Sequence, residues 1–272
     1  ITDAPIAALL AQLPDLTALG VGRTGAADHA VAAIGHLGEL RTLVLSGSKA
    51  SSAVLDAAVA ALPHLEALYL DETHATDDTV AALHAPALRV LFASQTDLGD
   101  ASLPALRALP LEQLAVGDTR LTAAIVADDA WPRLQVLSLF GLAIHDGDLP
   151  RLVAAHPRLH TLDLSATDVR RLEPLARLPR LRLLGLAQTQ LDPDALAALP
   201  AAPALAELAV SNVALDGRAV PPLLALAHLR RLDARGVAAL AAPGAGPGRP
   251  RGHHAAVDPL APLVARGVEL TR

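Results

Sequence analysis

The sequence has no cysteine and, among its 272 residues, one tyrosine, one tryptophan, two phenylalanines, a single lysine (Lys49) and a single asparagine (Asn212). Without thiols there is neither a disulfide framework nor a thiolate metal site, and a reducing cytoplasm is the default expectation. With so few rings, the interior must be filled by Leu, Val, Ile and Ala, which is unusual for a core of roughly spherical shape. Basic residues are thinly spread and the formal net charge is -6, so the clustered cations that displace phosphate counterions from nucleic acid are missing. No uninterrupted apolar run reaches about 18 residues, and no basic segment leads into an apolar stretch at the N-terminus. Neither a membrane span nor a signal peptide is therefore expected. Hydrophobic residues make up 52% of the chain, far too many for intrinsic disorder. The bias to Ala, Leu and Arg matches the codon use of a GC-rich bacterial genome.

Ten segments fit the pattern LxxLxLxxT in register. They begin at Leu16 (LTALGVGRT), Leu40, Leu65 (LEALYLDET), Leu88 (LRVLFASQT), Leu111, Leu134, Leu159 (LHTLDLSAT), Leu181, Leu205 and Leu229. The period is about 22 to 25 residues. Each unit joins a strand-like LxL to a stretch with helical spacing, and one strand with one helix cannot bury both apolar faces alone. Neighbouring units must therefore stack, with parallel strands along an inner, concave face. Over nearly its whole length the chain resembles the leucine-rich-repeat family in its short bacterial form. The resemblance implies an α/β fold, a right-handed solenoid like ribonuclease inhibitor, with about 10–11 repeats, a parallel concave sheet and short convex helices. In that family Asn or Cys follows the strand. Here Thr24, Ser48, Thr73, Thr96, Thr119, Thr167 and Thr189 take the place, and Asn212 sits one position early. A hydroxyl both donates and accepts, so it can satisfy backbone groups of the turn with less reach than a carboxamide.

Asp77, Asp78, Asp100, Asp146 and Asp192 introduce the helical stretches and read as N-caps. Prolines near the starts (Pro104, Pro150, Pro174, Pro193) and near the ends (Pro110, Pro157, Pro179, Pro200) limit each helix to two or three turns. Residues 1–272 read as one repeat domain. Within it, 1–12 form the second half of a repeat with no strand before it, 242–253 a Pro- and Gly-rich flexible loop, and 257–272 a last repeat or cap whose strand begins at Val268.

In LxxLxLxxT the leucines face the core, and the residues flanking the second and third leucines face outward. Tyr69, Phe92 and Phe140 all fall on that outward set. Leaving a large ring in water forgoes about 1.5–3 kcal/mol, and exposed aromatics are enriched among interface hot spots. Gln95 and the acids Asp71, Glu72, Asp118, Asp163 and Glu207 surround them, while Arg23 lies toward one end and Arg231 and Arg235 toward the other. A protein partner with an apolar knob ringed by Lys or Arg is the expected complement. The plainer alternative is scattered surface rings and a sheet kept wet by acids.

Gly20-Val-Gly22-Arg-Thr-Gly25 matches a dinucleotide fingerprint, but Val21 and Thr24 hold core and turn places of the repeat. His145-Asp146-Gly147-Asp148 coincides with a helix start and reads as capping, and His253-His254 lack a third ligand for zinc. Trp131 reads as filler at the solenoid edge. No cofactor or metal is expected, and no nucleophile and base converge, so the reading is a non-catalytic protein–protein interaction scaffold. The alternative is a regulatory or sensing region acting on an adjacent domain, favoured by an opening that looks cut from a longer chain.

Overall fold

The computed structural model describes residues 3–127, 131–237, 240 and 258–272. Eleven parallel strands follow one another in chain order, within two compact units, Ile1–Leu142 and Ala143–Arg272. The first unit holds β1 (Ala18–Gly20), β2 (Thr42–Val44), β3 (Ala67–Tyr69), β4 (Val90–Phe92), β5 (Gln113–Ala115) and β6 (Val136–Ser138). The second holds β7 (Thr161–Asp163), β8 (Leu183–Gly185), β9 (Glu207–Ala209), β10 (Arg231–Asp233) and β11 (Glu269–Thr271).

Each strand is three residues long and centred on one leucine, too short to persist alone. Register supplies what length does not: Leu43 pairs with Leu68, Leu68 with Leu91, Leu91 with Leu114 and Leu114 with Leu137. None of these five leucines is more than 1% exposed. Leu162, Leu184, Leu208 and Leu232 form the equivalent row of the second unit.

The helices of the first unit are α1 (Asp3–Leu10), α2 (Asp28–Ile34), α3 (Ser52–Ala60), α4 (Asp77–Ala81) and α5 (Leu103–Ala108). Those of the second are α6 (Leu149–Ala155), α7 (Val220–Ala225) and α8 (Ala261–Ala265). Two or three α-helical turns do not form everywhere. Ala123–Val126, Glu173–Arg177 and Ala195–Ala201 are 3-10 helix instead. Pro174 stands at the start of the second of these and Pro200 inside the third, where a missing N–H removes an α-helical bond. The expected loop at 242–253 and the pair His253-His254 lie outside the described residues.

The turn after each strand repeats one conformation. Arg23, Glu72, Gln95, Asp118, Ala166, Gln188 and Asn212 have positive φ, as do Gly47, Gly141 and Gly236, and these ten residues are the eighth place of the ten LxxLxLxxT segments. The left-handed backbone turns the N–H of this residue toward the next repeat: Glu72 donates to Ser94 O, Gln95 to Gly117 O and Asp118 to Phe140 O. Asn212 is therefore one place early because it occupies the left-handed position, which Asn tolerates better than most residues. The next residue carries the hydroxyl. Thr73 and Thr96 donate to Leu70 O and Ala93 O at 2.6 and 2.7 Å, and Thr24, Thr119, Thr167 and Thr189 do the same. The hydroxyl thus closes its own turn and leaves the contact between repeats to the backbone.

The aspartates depart from simple N-caps. Asp77 is the first residue of α4, where Thr76 and Thr79 make the capping box, and its Oδ1 accepts from Gly99 N in the next repeat at 2.7 Å. Asp100 likewise accepts from Thr122 N, Asp28 from Ser51 N, and Asp146 from Arg170 N and Arg171 N. Asp3 accepts from Ala27, His29 and Ala30 N at the start of α2. Burial opposes ionisation of Asp3, but these backbone bonds outweigh it and hold the carboxyl below its ordinary range. Asp192 meets Arg171 at 3.3 Å. A carboxylate in the first turn thus suits its own helix dipole while binding the neighbouring repeat.

Candidate partner-binding face

The open face of the sheet in the first unit carries the side chains that alternate with the buried leucines. Tyr69 and Phe92 are Cα partners across β3 and β4, both half-buried. Their ring centroids are 5.1 Å apart with planes at 73°, an edge-to-face pair. Such a pair contributes about 0.5–1.5 kcal/mol beyond area burial, which offsets part of the cost of leaving both rings accessible. Val44 precedes Tyr69 in the same row, and Val90 and Val136 lie on the adjoining row, all half-buried.

Phe140 lies two residues beyond β6 and two strands from Phe92, at least about 10 Å away at strand spacing. It is half-buried on the same face, with the small residues Ala115 and Gly117 between it and the pair. Gly117 has a physical reason: a Cβ there would stand 2.8 Å from Phe140 O and 2.9 Å from Phe140 Cβ. The structure therefore joins two of the three expected rings and sets the third apart over a floor without bulk.

The polar residues form two rims. At the carboxyl ends of the strands stand Arg23, Asp71, Glu72, Gln95 and Asp118. Asp71 accepts from Ser94 N at 2.9 Å and from the Ser46 hydroxyl at 3.2 Å, so this acid also stitches neighbouring repeats. Glu72 pairs with Arg23, which reaches past Gly47, where a Cβ would meet the arginine Cγ at 2.9 Å. Gln95 donates to Asp118 at 3.4 Å. Glu72, His74, Gln95, Asp97 and Asp118 help line an open hollow of about 450 Å³ along this rim. At the amino ends stand Arg41, Glu66, Arg89, Glu112 and Gln135. Arg41 meets Glu66 at 2.6 Å, Arg89 meets Glu112 at 3.7 Å, and Gln135 donates to Glu112 at 3.3 Å.

Asp163 and Glu207 belong to the second unit and have local partners there. Asp163 accepts from Ser165 N at 3.0 Å, and Glu207 lies 3.6 Å from Arg231, which also binds Glu269. The bond to Glu269 is the main cause that raises the Arg231 pKa.

Sequence reasoning did not single out the left-handed column, the valines beside the rings or Gly117. A signal for the column was present, since Gly47, Gly141, Gly236 and Asn212 share one place of the repeat. The glycine fingerprint is absorbed by the fold: Val21 is 6% exposed and the Thr24 hydroxyl bonds Val21 O at 2.6 Å. Trp131 is 2% exposed, and its Nε1 donates to Leu106 O at 3.1 Å. His145 N donates to Asp148 at 2.9 Å, its imidazole lies 3.6 Å from an Asp168 carboxylate oxygen, and Asp146 accepts from Arg170 N of the next repeat. Among the described residues, no group of three or more His, Cys, Asp or Glu is gathered as for a metal ion, and no helix is long and apolar enough to cross a membrane.

No family model and no curated protein matches the sequence. Solved structures do. An internalin from Listeria monocytogenes is 15% identical with a TM-score of 0.56, the match covering 98% of this chain and 92% of that one. A leucine-rich-repeat protein from Leptospira interrogans is 18% identical with a TM-score of 0.59, covering 83% of this chain and 56% of that one. At such identities the likeness is one of fold.

Proposed function

We propose that this chain, an α/β repeat protein with the leucine-rich-repeat fold, is a non-catalytic scaffold that holds a partner protein on the open, concave face of its sheet. The observation that carries the reading is the edge-to-face pair of Tyr69 and Phe92, accessible on a sheet whose leucine row is otherwise sealed. Large rigid rings supply contact area at small cost in conformational entropy, which is why they dominate interface energetics. Phe140 is a second anchor, and Asp71, Glu72, Gln95 and Asp118 form the polar margin. Asp163 and Glu207 are proposed as contacts on the second unit's own open face. The compartment proposed is the cytoplasm, on the cysteine-free composition.

The test is Tyr69→Ala with Phe92→Ala. A partner captured by the wild-type chain should bind the double variant about 30-fold or more weakly, corresponding to the loss of at least about 2 kcal/mol expected at a hot spot. Thermal unfolding should fall by only about 2–4 °C, from the lost ring pair. Undiminished capture would move the site off this face.

A further inference from the structure

We infer that the partner segment held by the first unit is apolar on one face and carries Lys or Arg along one side only, the side toward the carboxyl ends of the strands. The inference rests on the proposed reading of Tyr69 and Phe92 and adds the partner's chemistry and orientation. Its basis is the difference between the two rims. At the amino ends, two arginines and two glutamates alternate and pair, Arg41 with Glu66 and Arg89 with Glu112. That rim is neutral, with its charges already satisfied. At the carboxyl ends, Arg23 is taken by Glu72 and Arg120 by Asp97, so neither cation is left for Asp71 or Asp118. Among the described residues, Asp71 and Asp118 meet only hydrogen-bond donors without charge, Ser94 N, the Ser46 hydroxyl and Gln95. Among the described residues no cation is paired with either carboxylate, and both stand beside the apolar row.

Between the rims lie the rings and valines. From Val44 on β2 to Val136 on β6 the rings and valines span four strand spacings, about 19 Å, the length of about six extended residues or about thirteen helical ones. A basic ring around an apolar knob, the complement expected from sequence, would set cations against Arg41 and Arg89. A single basic flank meets Asp71 and Asp118 and leaves the paired rim undisturbed. Such asymmetry fixes which way a segment lies and speeds its association more than it deepens affinity.

The experiment selects binders from a phage-displayed library of random 15-residue peptides on the full chain, and counts those lost on the Tyr69→Ala, Phe92→Ala variant. These peptides should combine apolar residues with Lys or Arg. They should bind the Asp71→Asn, Asp118→Asn variant at least 5-fold more weakly, and the Arg41→Gln, Glu66→Gln variant within 2-fold of wild type. Asparagine keeps the acceptor for Ser94 N and tolerates the left-handed backbone at position 118, so the first rim variant retains its fold, as circular dichroism would verify. Ring-dependent peptides without basic residues, or equal losses on both rim variants, would overturn the inference while leaving the reading of the face intact. Selected peptides indifferent to the loss of both rings would overturn that reading itself.

Discussion

At the level of single residues, the turn after each strand holds L-amino acids in the left-handed region, which costs about 1–2 kcal/mol wherever glycine is absent. Ala166, with φ of 54°, has a side chain too small to gain anything in return. Ala166→Gly is therefore expected to raise the urea midpoint by the equivalent of about 0.5–1 kcal/mol with an unchanged slope. A lower midpoint would mean that the turn is relaxed as it stands. Asp233 offers a second test. The Arg235 guanidinium grips it at 2.9 and 2.6 Å and, with the Arg235 backbone N–H and against the opposing effect of burial, holds its carboxyl down to about 2. The folded value lies below that of an unfolded carboxyl, about 4, so the stabilisation is complete above that pH and is lost as pH falls toward and through 2. Allowing for solvent screening of a pair at the surface, Asp233→Asn should cost about 1 kcal/mol at neutral pH. The wild-type and variant denaturation curves should converge on acidification between those limits, and a constant gap would refute the assignment.

At the level of elements, three-residue strands and short helices owe their persistence to the repeat beside them. Asp146 shows how. Its Oδ1 accepts from Arg170 N at 2.7 Å and from Arg171 N at 3.0 Å, fixing the start of the following repeat's return stretch. Asp146→Ala leaves both donors to water and should cost about 1 kcal/mol. Hydrogen exchange at the amides of residues 170 and 171 should rise before that of β7 and β8. Uniformly faster exchange across the second unit would show that the carboxylate acts on the global equilibrium instead.

At the level of the whole molecule, a stack of repeats has stability that is close to a sum of nearest-neighbour contributions. Leu91 sits in mid-row in the first unit, fully buried and paired in register with Leu68 and Leu114. Leu91→Ala should cost about 2–5 kcal/mol. Exchange protection should fall first in β3, β4 and β5 and later in β1. Equal loss in all strands of the unit would indicate one cooperative block rather than a chain of neighbours.

Leucine spacing alone determined the repeat, its period, the parallel strands and which side chains leave the core, because alternation along a strand is set by backbone geometry and needs no distant partner. It placed Tyr69, Phe92 and Phe140 outside the core for the same reason. Tertiary structure decided the rest: that Tyr69 and Phe92 touch while Phe140 stands apart, that Asp77, Asp100 and Asp146 bond the next repeat rather than cap their own helix, that Trp131 is buried, and that one rim is neutral and the other acidic. These outcomes depend on contacts between residues one or two repeats apart, and only the register of the stacked repeats brings such residues within bonding distance.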